Sequence, residues 1–232
     1  MFDARIDRIR ESEKRSHTKI YTDESLYSSD SWLRKPIKTV REIVPLISHR
    51  EDLSILDLGC GVGRNSIFLA QEMDCCVDCV DILDIAIDKL MDNAREYGVA
   101  DKINGFVDTI EHYPISKDSY DLILAVSALE HVEDEDAFRN KLLEIRDGIK
   151  DKGIVCLIVN SEVKEKDNAT GEELEPQFEV NIPTPKMQEI IAEVFKDWVT
   201  IKTTVVPQEY DIPRDDIVSH LTTNVVTYVG QK

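Results

Sequence analysis

A short glycine-rich stretch is the part of the sequence whose residue types and spacing best suit ligand chemistry. Gly59, Cys60, Gly61 and Gly63 follow an apolar run of β type and directly precede a helical pattern. Glycines at such a turn let the chain change direction sharply and let a ligand approach bare backbone. The backbone N–H groups at the start of the following helix would face that ligand.

The spacing of these glycines and the acidic residue before them separate two kinds of ligand. A dinucleotide-binding turn has the spacing G-x-G-x-x-G, so that a pyrophosphate lies over the helix N-terminus. Here Gly63 comes one position early, Arg64 occupies the expected place, and Asp57 precedes the first glycine by two positions. A carboxylate at that strand end repels a pyrophosphate and suits a cation that carries an ammonium and a sulfonium. The pattern therefore points to S-adenosylmethionine (SAM).

The glycine-rich turn also resembles that of a known family. Residues 56–63 are similar to the first motif of class I SAM-dependent methyltransferases, and this resemblance extends over about residues 36–232. Residues 63–70 and 195–198 resemble the tellurite-resistance methyltransferase branch in particular. The resemblance implies a Rossmann-like methyltransferase fold, SAM as the cofactor, and in-line transfer of a methyl group to a small-molecule acceptor.

The order of apolar runs and helical patterns predicts an α/β protein with a doubly wound sheet. Short apolar runs alternate with helical patterns, which is typical of a parallel sheet covered on both faces. The predicted sheet has seven strands and is mostly parallel, and its last strand is antiparallel because that run mixes polar and apolar residues. The predicted strands cover residues 53–58, 77–82, 103–107, 120–126, 153–159, 198–206 and 221–229.

Three regions lie outside this regular pattern. Residues 1–35 form an N-terminal segment, with a short amphipathic helix and then polar sequence, that could act as a lid. The methyltransferase domain covers residues 36–232, and its first helix is predicted to begin at Pro36. The long polar stretch 160–183 is predicted to be a lid or a binding loop, and 207–214 a connecting turn.

The resemblance implies that the ends of the first and fourth strands hold the methionine portion of SAM. Gly59, Gly61 and Gly63 would form the loop under it, and Asp57 would receive its ammonium group directly or through water. The same site would include Cys60 and Asn65 from the turn and, in contact with the methionyl chain, Ala125 and Val126.

The ends of the second and third strands would hold the adenosine portion. Asp81 matches the acidic residue that binds both ribose hydroxyls, and an ionised carboxylate accepts well from two such donors. Ile82 would lie against the adenine ring. Asp108 would accept from the adenine amino group, with the backbone of Thr109 beside it. All of these residues come at carboxyl ends of strands, where open α/β sheets bind ligands.

The acceptor side is less well defined by the sequence. A soft anionic acceptor needs no general base, whereas a hydroxyl or a protonated amine does. The candidate bases are His131 after the fourth strand, His220 at the start of the last strand, and Tyr210 at the same edge. For each of them a surface or capping role is the more common one, because polar residues are mostly exposed. The tellurite-type branch carries a His-Arg pair in the last hairpin, and the stretch 207–211 lacks it, which argues against an oxyanion acceptor.

Composition bears on the partners of the protein. The 232 residues carry a net charge of −18, from 28 basic and 46 acidic side chains, so the chain repels nucleic-acid phosphates and anionic lipids at long range. No apolar run approaches the ~20 residues of a membrane span, and the N-terminus does not resemble a signal peptide. We therefore expect a cytoplasmic monomer or homodimer that acts on a small molecule and binds neither nucleic acid nor membrane.

The five cysteines are expected to be reduced thiols and not metal ligands. Their number is odd and no secretion signal is expected. Cys75, Cys76 and Cys79 lie close together, but a tetrahedral zinc site normally uses two spaced pairs of ligands and no second pair is present. No metal site is predicted.

Two other functions remain open at this stage. A nicotinamide-dependent oxidoreductase would use a related fold, although the glycine spacing argues against it. A non-catalytic SAM-binding regulatory module would show the same cofactor residues, and the sequence contains no acceptor base that stands out.

Overall fold

The computed structural model describes residues 4–23, 25–28, 31, 33–214 and 217–232. A single mixed sheet runs through it in the order β3-β2-β1-β4-β5-β8-β7, and a two-residue strand, β6, pairs with β5. The strands are β1 (Leu53–Leu58), β2 (Cys75–Asp81), β3 (Ile103–Val107), β4 (Tyr120–Val126), β5 (Ile149–Asp167), β6 (Glu173–Leu174), β7 (Val199–Arg214) and β8 (Ile217–Gln231). The first five pair in parallel, whereas β8 is antiparallel to both of its neighbours. This confirms the predicted fold class.

Helices cover both faces of this sheet. They are α1 (Ala4–Asp23), α2 (Lys38–Ile47), α3 (Ser66–Glu72), α4 (Asp84–Glu96), α5 (Glu135–Gly148) and α6 (Thr184–Val194), with 3₁₀ turns at Ala100–Lys102 and Leu129–His131. Successive residues of a strand point to opposite faces, so Ile55 packs with α2, α3 and α4 while Leu56 packs with α5 and α6. Because the first five strands run in the same direction, the turns that follow them lie at the same edge of the sheet.

Two predicted helix boundaries are wrong. The first helix, α1, has 20 residues and is not short. Its residues Ile9 and Tyr21 are buried, and this burial stabilises a helix whose sequence is mostly polar. Helix α2 begins at Lys38, two residues after Pro36, because Pro36 and Ile37 keep an extended conformation.

Two predicted connections are strands instead. The stretch 207–214 continues β7, which pairs with β8 as far as Arg214 and Ile217. Prolines are tolerated there because β7 is the edge strand of the sheet. The start of the predicted loop 160–183 continues β5 as far as Asp167. Strands β5, β6, β7 and β8 thus extend beyond the parallel strands as an antiparallel projection.

Helix α1 is fixed to this projection by ion pairs. Arg214 near the end of β7 contacts Glu13 of α1 at 3.4 Å and the buried Glu165 of β5 at 3.1 Å. Arg5 donates to Glu175 at 2.7 Å and to the carbonyl oxygen of Phe178 at 2.8 Å. The N-terminal helix therefore lies over the carboxyl-terminal edge of the sheet, above the glycine-rich turn.

Among the described residues, no helix is long and apolar enough to cross a membrane.

Candidate cofactor and acceptor site

The glycine-rich turn adopts a backbone conformation that L side chains rarely take. Gly59 has φ +70° and Gly61 has φ +54°. A Cβ atom at Gly59 would lie 2.5 Å from the Cβ of Ala128, and one at Gly61 would lie 3.0 Å from the hydroxyl of Tyr21 on α1. The turn is therefore packed between the end of β4 and the N-terminal helix, which explains why glycine is required there.

Asp81 fixes the turn to the neighbouring strand. Its Oδ2 accepts a hydrogen bond from the N–H of Gly61 at 2.9 Å, and its Oδ1 accepts from the N–H of Leu83 at 3.0 Å. Burial raises the pKa of Asp81, while these backbone hydrogen bonds oppose the rise. The carboxylate keeps free lone pairs, since each oxygen can accept more than one bond.

A cavity of about 560 Å³ opens at this edge of the sheet and is covered by α1. Its volume lies within the range of small-molecule sites. It is lined by Asp7, Arg10, Glu11, Glu13, Lys14, His17, Tyr21, Gly59, Asp81, Ile82, Leu83, Thr109, Ile110, Glu111, Ser127, Ala128, His131 and Glu179. The cavity therefore draws on the ends of four parallel strands and on a helix that lies far away in sequence.

Five residues predicted from the sequence line this cavity. They are Gly59, Asp81, Ile82, Thr109 and His131. Ile82 is an apolar residue that is 47% exposed, so it offers the cavity a flat hydrophobic contact of the kind that an adenine ring requires.

Other predicted cofactor residues have side chains that are buried or hydrogen-bonded within the protein next to the turn. The carboxyl group of Asp57 is buried and accepts a hydrogen bond from the hydroxyl of Ser66, and burial raises its pKa to about 7. Asn65 accepts from the N–H of Ile37 at 3.1 Å. The Cys60 side chain is buried, and burial raises the pKa of its thiol. None of these side chains is among the cavity-lining residues, and neither is Gly63, so their contact with SAM stays a prediction.

At the ends of β3 and β4, the lining residues lie one or two positions beyond those predicted. Ala125 and Val126 are buried in β4, and the next residues, Ser127 and Ala128, line the cavity. Asp108 accepts from the N–H of Thr109 at 2.8 Å and does not line the cavity itself. Both strands end where the sequence predicted, at Val107 and Val126, and the cavity is lined by residues of the turns that follow them.

Two of the three candidate bases lie outside the cavity, on the long β7–β8 hairpin. His220 is the fourth residue of β8, not the first, and its Nδ1 lies 2.9 Å from Oδ1 of Asp211. Tyr210 on β7 pairs with Leu221 and is 46% exposed. Neither is a lining residue.

His131 is held at the cavity wall by Glu179. Its Nδ1 lies 2.9 Å from Oε2 of Glu179, and its ring stacks on Phe178 with 5.4 Å between ring centres. Burial alone would lower the pKa of His131, but the hydrogen bond with Glu179 and the charges of Glu13 and Glu130 raise it to about 9. Glu179 is also buried, and its other oxygen, Oε1, accepts from Nε of an arginine on α1 at 3.3 Å.

The residues that sequence reasoning missed come mainly from α1 and from the segment before α6. Arg10, Glu13, His17 and Tyr21 recur at steps of three and four, which is the spacing of one helical face. That polar stripe was a signal for a functional surface. Glu179 carries no such signal, because its position depends on how the segment after β6 folds back onto the sheet.

Comparisons with known proteins agree with the fold. Residues 55–153 match the family model described as a methyltransferase domain. The sarcosine/dimethylglycine N-methyltransferase of Aphanothece halophytica is 28% identical over 140 residues, which cover 59% of this chain and 47% of that protein. This chain thus spans about half the length of that curated relative.

Solved structures share the fold. TehB from Haemophilus influenzae gives a TM-score of 0.64 at 17% identity, covering 84% of this chain and 62% of that one. The 1,6-didemethyltoxoflavin-N1-methyltransferase of Burkholderia thailandensis, solved with S-adenosylhomocysteine bound, gives a TM-score of 0.59 at 15% identity and covers 98% of this chain and 86% of that one. At these identities the likeness is one of fold.

Residues 55–153 thus match a methyltransferase domain, and the whole fold resembles that of solved methyltransferases. The residues present fit SAM as a cofactor: a carboxylate ends β2, an apolar side chain follows it, and the cavity carries an excess of carboxylates that suits a sulfonium cation. The resemblance to the tellurite-resistance branch is confirmed at the level of the fold.

Proposed function

We propose that this protein transfers a methyl group from SAM to a small-molecule acceptor. The observation that carries the proposal is the single cavity that holds Gly59, Asp81 and Ile82 together with His131. The first three residues would hold the cofactor, as the resemblance to class I methyltransferases implies, and His131 lies after β4 on the wall of the same cavity. Cofactor and acceptor would thus share one enclosed space.

The cofactor would be held by residues at the strand ends. The carboxylate of Asp81 would accept from the ribose hydroxyls, and Ile82 and Thr109 would border the adenine. Ser127 and Ala128 would take the part predicted for Ala125 and Val126. Gly59, Gly61 and Gly63 would present backbone to the methionine portion, and the buried carboxyl group of Asp57, with Asp108, Cys60 and Asn65, would support this frame.

The acceptor would bind between the strand ends and α1. SAM, when bound, supplies a methyl group on a positively charged sulfur. The task of the protein is to hold the attacking atom in line with that methyl group, and such alignment can supply roughly 7–11 kcal/mol of the barrier reduction. Of the three candidate bases, His131 is favoured because His220 and Tyr210 do not line the cavity.

The N-terminal segment, residues 1–35, would act as the lid of the domain formed by residues 36–232. Support comes from α1, which supplies cavity-lining residues and is fixed to the β5–β8 projection by ion pairs. Residues 1–3, 24, 29, 30 and 32 of this segment lie outside the described residues.

The partner would be a small molecule and not a nucleic acid, in keeping with the net charge of −18. The curated relative named for sarcosine and dimethylglycine is likewise a small-molecule methyltransferase by its name. We propose a cytoplasmic monomer or homodimer.

Two measurements test the proposed function. Isothermal titration should show that SAM and S-adenosylhomocysteine bind with one-to-one stoichiometry, and incubation of SAM with mixed acceptors should release S-adenosylhomocysteine. Binding of SAM without any turnover across amines, thiols, hydroxyls and oxyanions would instead indicate a regulatory module. Absence of SAM binding would overturn the proposal.

A further inference from the structure

One ring nitrogen of His131, Nδ1, is bonded to the protein, and the other, Nε2, has no hydrogen-bond partner among the described residues. Nδ1 is hydrogen-bonded to Glu179, and no other hydrogen bond to the ring is found among the described residues. Because the residue lines the cavity, Nε2 is the nitrogen available to a bound molecule. A carboxylate on Nδ1 fixes the tautomer in which the neutral ring carries its proton on Nδ1 and a lone pair on Nε2.

The walls around this nitrogen carry more negative than positive charge. Six carboxylates line the cavity, against one arginine, one lysine and the two histidines His17 and His131. The carboxylates are Asp7, Glu11, Glu13, Asp81, Glu111 and Glu179. Such a cavity attracts a cation and repels a thiolate or an oxyanion, and one cationic cofactor does not balance this excess.

We propose that the methyl acceptor is a small amine, protonated in solution, and that Glu179 is the positioning residue that holds His131 as its base. This inference rests on the proposed function and adds the substrate class to it. The same carboxylate also accepts from Arg10 of α1 through its other oxygen, so Glu179 contacts both the base and the helix that covers the cavity.

The reaction balances with these groups alone. An N–H bond of the alkylammonium breaks, its electron pair stays on nitrogen, and the proton passes to Nε2 of His131. The amine lone pair then forms the new N–C bond to the methyl carbon as the C–S bond breaks, and that electron pair stays on sulfur. The products are a methylated ammonium ion, neutral S-adenosylhomocysteine and a protonated His131.

The electrostatic surroundings of His131 suit this role. The carboxylates that face it are Glu179 before α6, Glu13 on α1 and Glu130 in its own turn, and together they raise its pKa to about 9 despite burial. His17 and Asp81 also lie within its electrostatic reach. A base of this strength matches an alkylammonium ion, whose pKa is close to that of lysine at about 10. Catalysis should therefore rise with pH.

The acceptor class can be tested with a panel at saturating SAM. Methylamine, dimethylamine and benzylamine are compared with aniline, 2-mercaptoethanol, phenol and selenite, and S-adenosylhomocysteine release is measured. The inference predicts fastest turnover with an alkylamine. Fastest turnover with the thiol, phenol or selenite, or no turnover of any amine although SAM binds, would overturn the substrate class and leave the proposed function standing. Failure of SAM to bind would overturn the proposed function itself.

The role of His131 can be tested with the His131→Gln variant and two amines. Loss of a general base typically costs 10²–10⁴-fold in rate, and we expect a loss of that size with the alkylamine. Aniline is neutral at pH 7 and needs no base, so its turnover should fall far less. An equal loss with both amines, with unchanged SAM affinity, would contradict the role of His131 as a base.

The role of Glu179 can be tested by pH profiles of kcat. Glu179→Gln should lower the pKa of His131, so the rising limb of the profile should move to lower pH while turnover with the alkylamine falls. Glu175→Gln is the matched control, because Glu175 lies in the same segment and pairs with Arg5 of α1 but not with His131. An unchanged profile in Glu179→Gln would overturn the proposed positioning.

A purely structural role for Glu179 predicts a different pattern. Arg10→Gln removes the side-chain link between the Glu179 carboxylate and α1, while the bond from Arg5 to the Glu179 carbonyl oxygen and the bond to His131 stay in place. If Glu179 acts through His131, Arg10→Gln should keep the position of the rising limb. If Arg10→Gln shifts that limb as much as Glu179→Gln does, Glu179 acts by fixing α1, and the inference is wrong.

Discussion

The backbone N–H of Gly61 donates a hydrogen bond to Oδ2 of Asp81 at 2.9 Å. This bond joins the glycine-rich turn after β1 to the acidic residue that ends β2, so the two sequence motifs form one structural unit. A side chain at residue 61 would meet Tyr21 of α1. The position and burial of the Asp81 carboxylate therefore depend on the turn, on β2 and on the N-terminal helix together.

Asp81→Asn should weaken SAM binding while the protein still folds, although the amide can accept only one of the two backbone hydrogen bonds that the carboxylate accepts. The neutral amide is a weaker acceptor for the ribose hydroxyls, and hydrogen bonds to charged groups are worth about 1.5–3 kcal/mol, which corresponds to roughly 10–100-fold in Kd. Asp84→Asn is the control, since Asp84 lies in the first turn of α4 and does not line the cavity. Unchanged affinity by isothermal titration would remove Asp81 from the cofactor site.

Gly59→Ala should destabilise the protein more than Gly98→Ala. Both residues have positive φ, +70° and +71°, so both variants carry the backbone strain of about 1–2 kcal/mol. Only the Cβ at Gly59 meets a close neighbour, at 2.5 Å, and forced packing typically adds about 1–3 kcal/mol. Urea unfolding measures both variants; equal losses would show that Ala128 moves aside without cost.

Asp57→Asn should change how stability depends on pH. Burial raises the pKa of Asp57 from 3.8 to about 7 in the folded state. A carboxyl group with a raised pKa favours folding while it is protonated, and that contribution is lost as the pH rises from about 4 through 7. The asparagine variant does not lose it, so its stability relative to the wild type should increase between pH 4 and pH 8. Urea titrations at several pH values check this, and parallel curves would contradict it.

Arg214→Gln should be far more damaging than Arg139→Gln. Arg214 is paired with the buried Glu165 and with Glu13 of α1, so its removal leaves a buried carboxylate without its partner and costs about 3–5 kcal/mol. Arg139 forms an exposed pair with Glu193 on the surface, where such pairs are worth about 0–1 kcal/mol. Thermal and urea unfolding compare the two; equal effects would show that the projection is stabilised mainly by β pairing.

The parts of the fold that could be predicted depend on local signals. Strands β1 and β4 are mostly apolar runs, and Gly59, Gly61 and Gly63 indicate the turn after β1. These signals also located Asp81 and Ile82, because residues that follow a parallel strand reach the same edge of the sheet.

The remainder depends on contacts between distant residues. Ser161, Val163 and Glu165 alternate inward in the second half of β5, but two of them are polar, so the alternation does not read as a buried strand. Glu165 is tolerated there because Arg214 and Ser219 donate to it across about fifty residues of chain. No local pattern encodes such a pairing.

The cavity wall was missed for the same reason. Helix α1 and Glu179 reach His131 through packing between the two ends of the chain. The sequence located His131 and could not tell it from His220, because both were expected at the ligand-binding edge of the predicted sheet. Only the fold separates the one inside the cavity from the one on the hairpin.

Titration of the protein with SAM and, separately, with NADH tests the central claim most directly. SAM should bind to one site per chain, and NADH should not compete with it. Asp81→Asn should weaken SAM binding at least tenfold, whereas Asp84→Asn should not. Saturable binding of NADH at this site, or SAM binding that is indifferent to Asp81, would contradict the account.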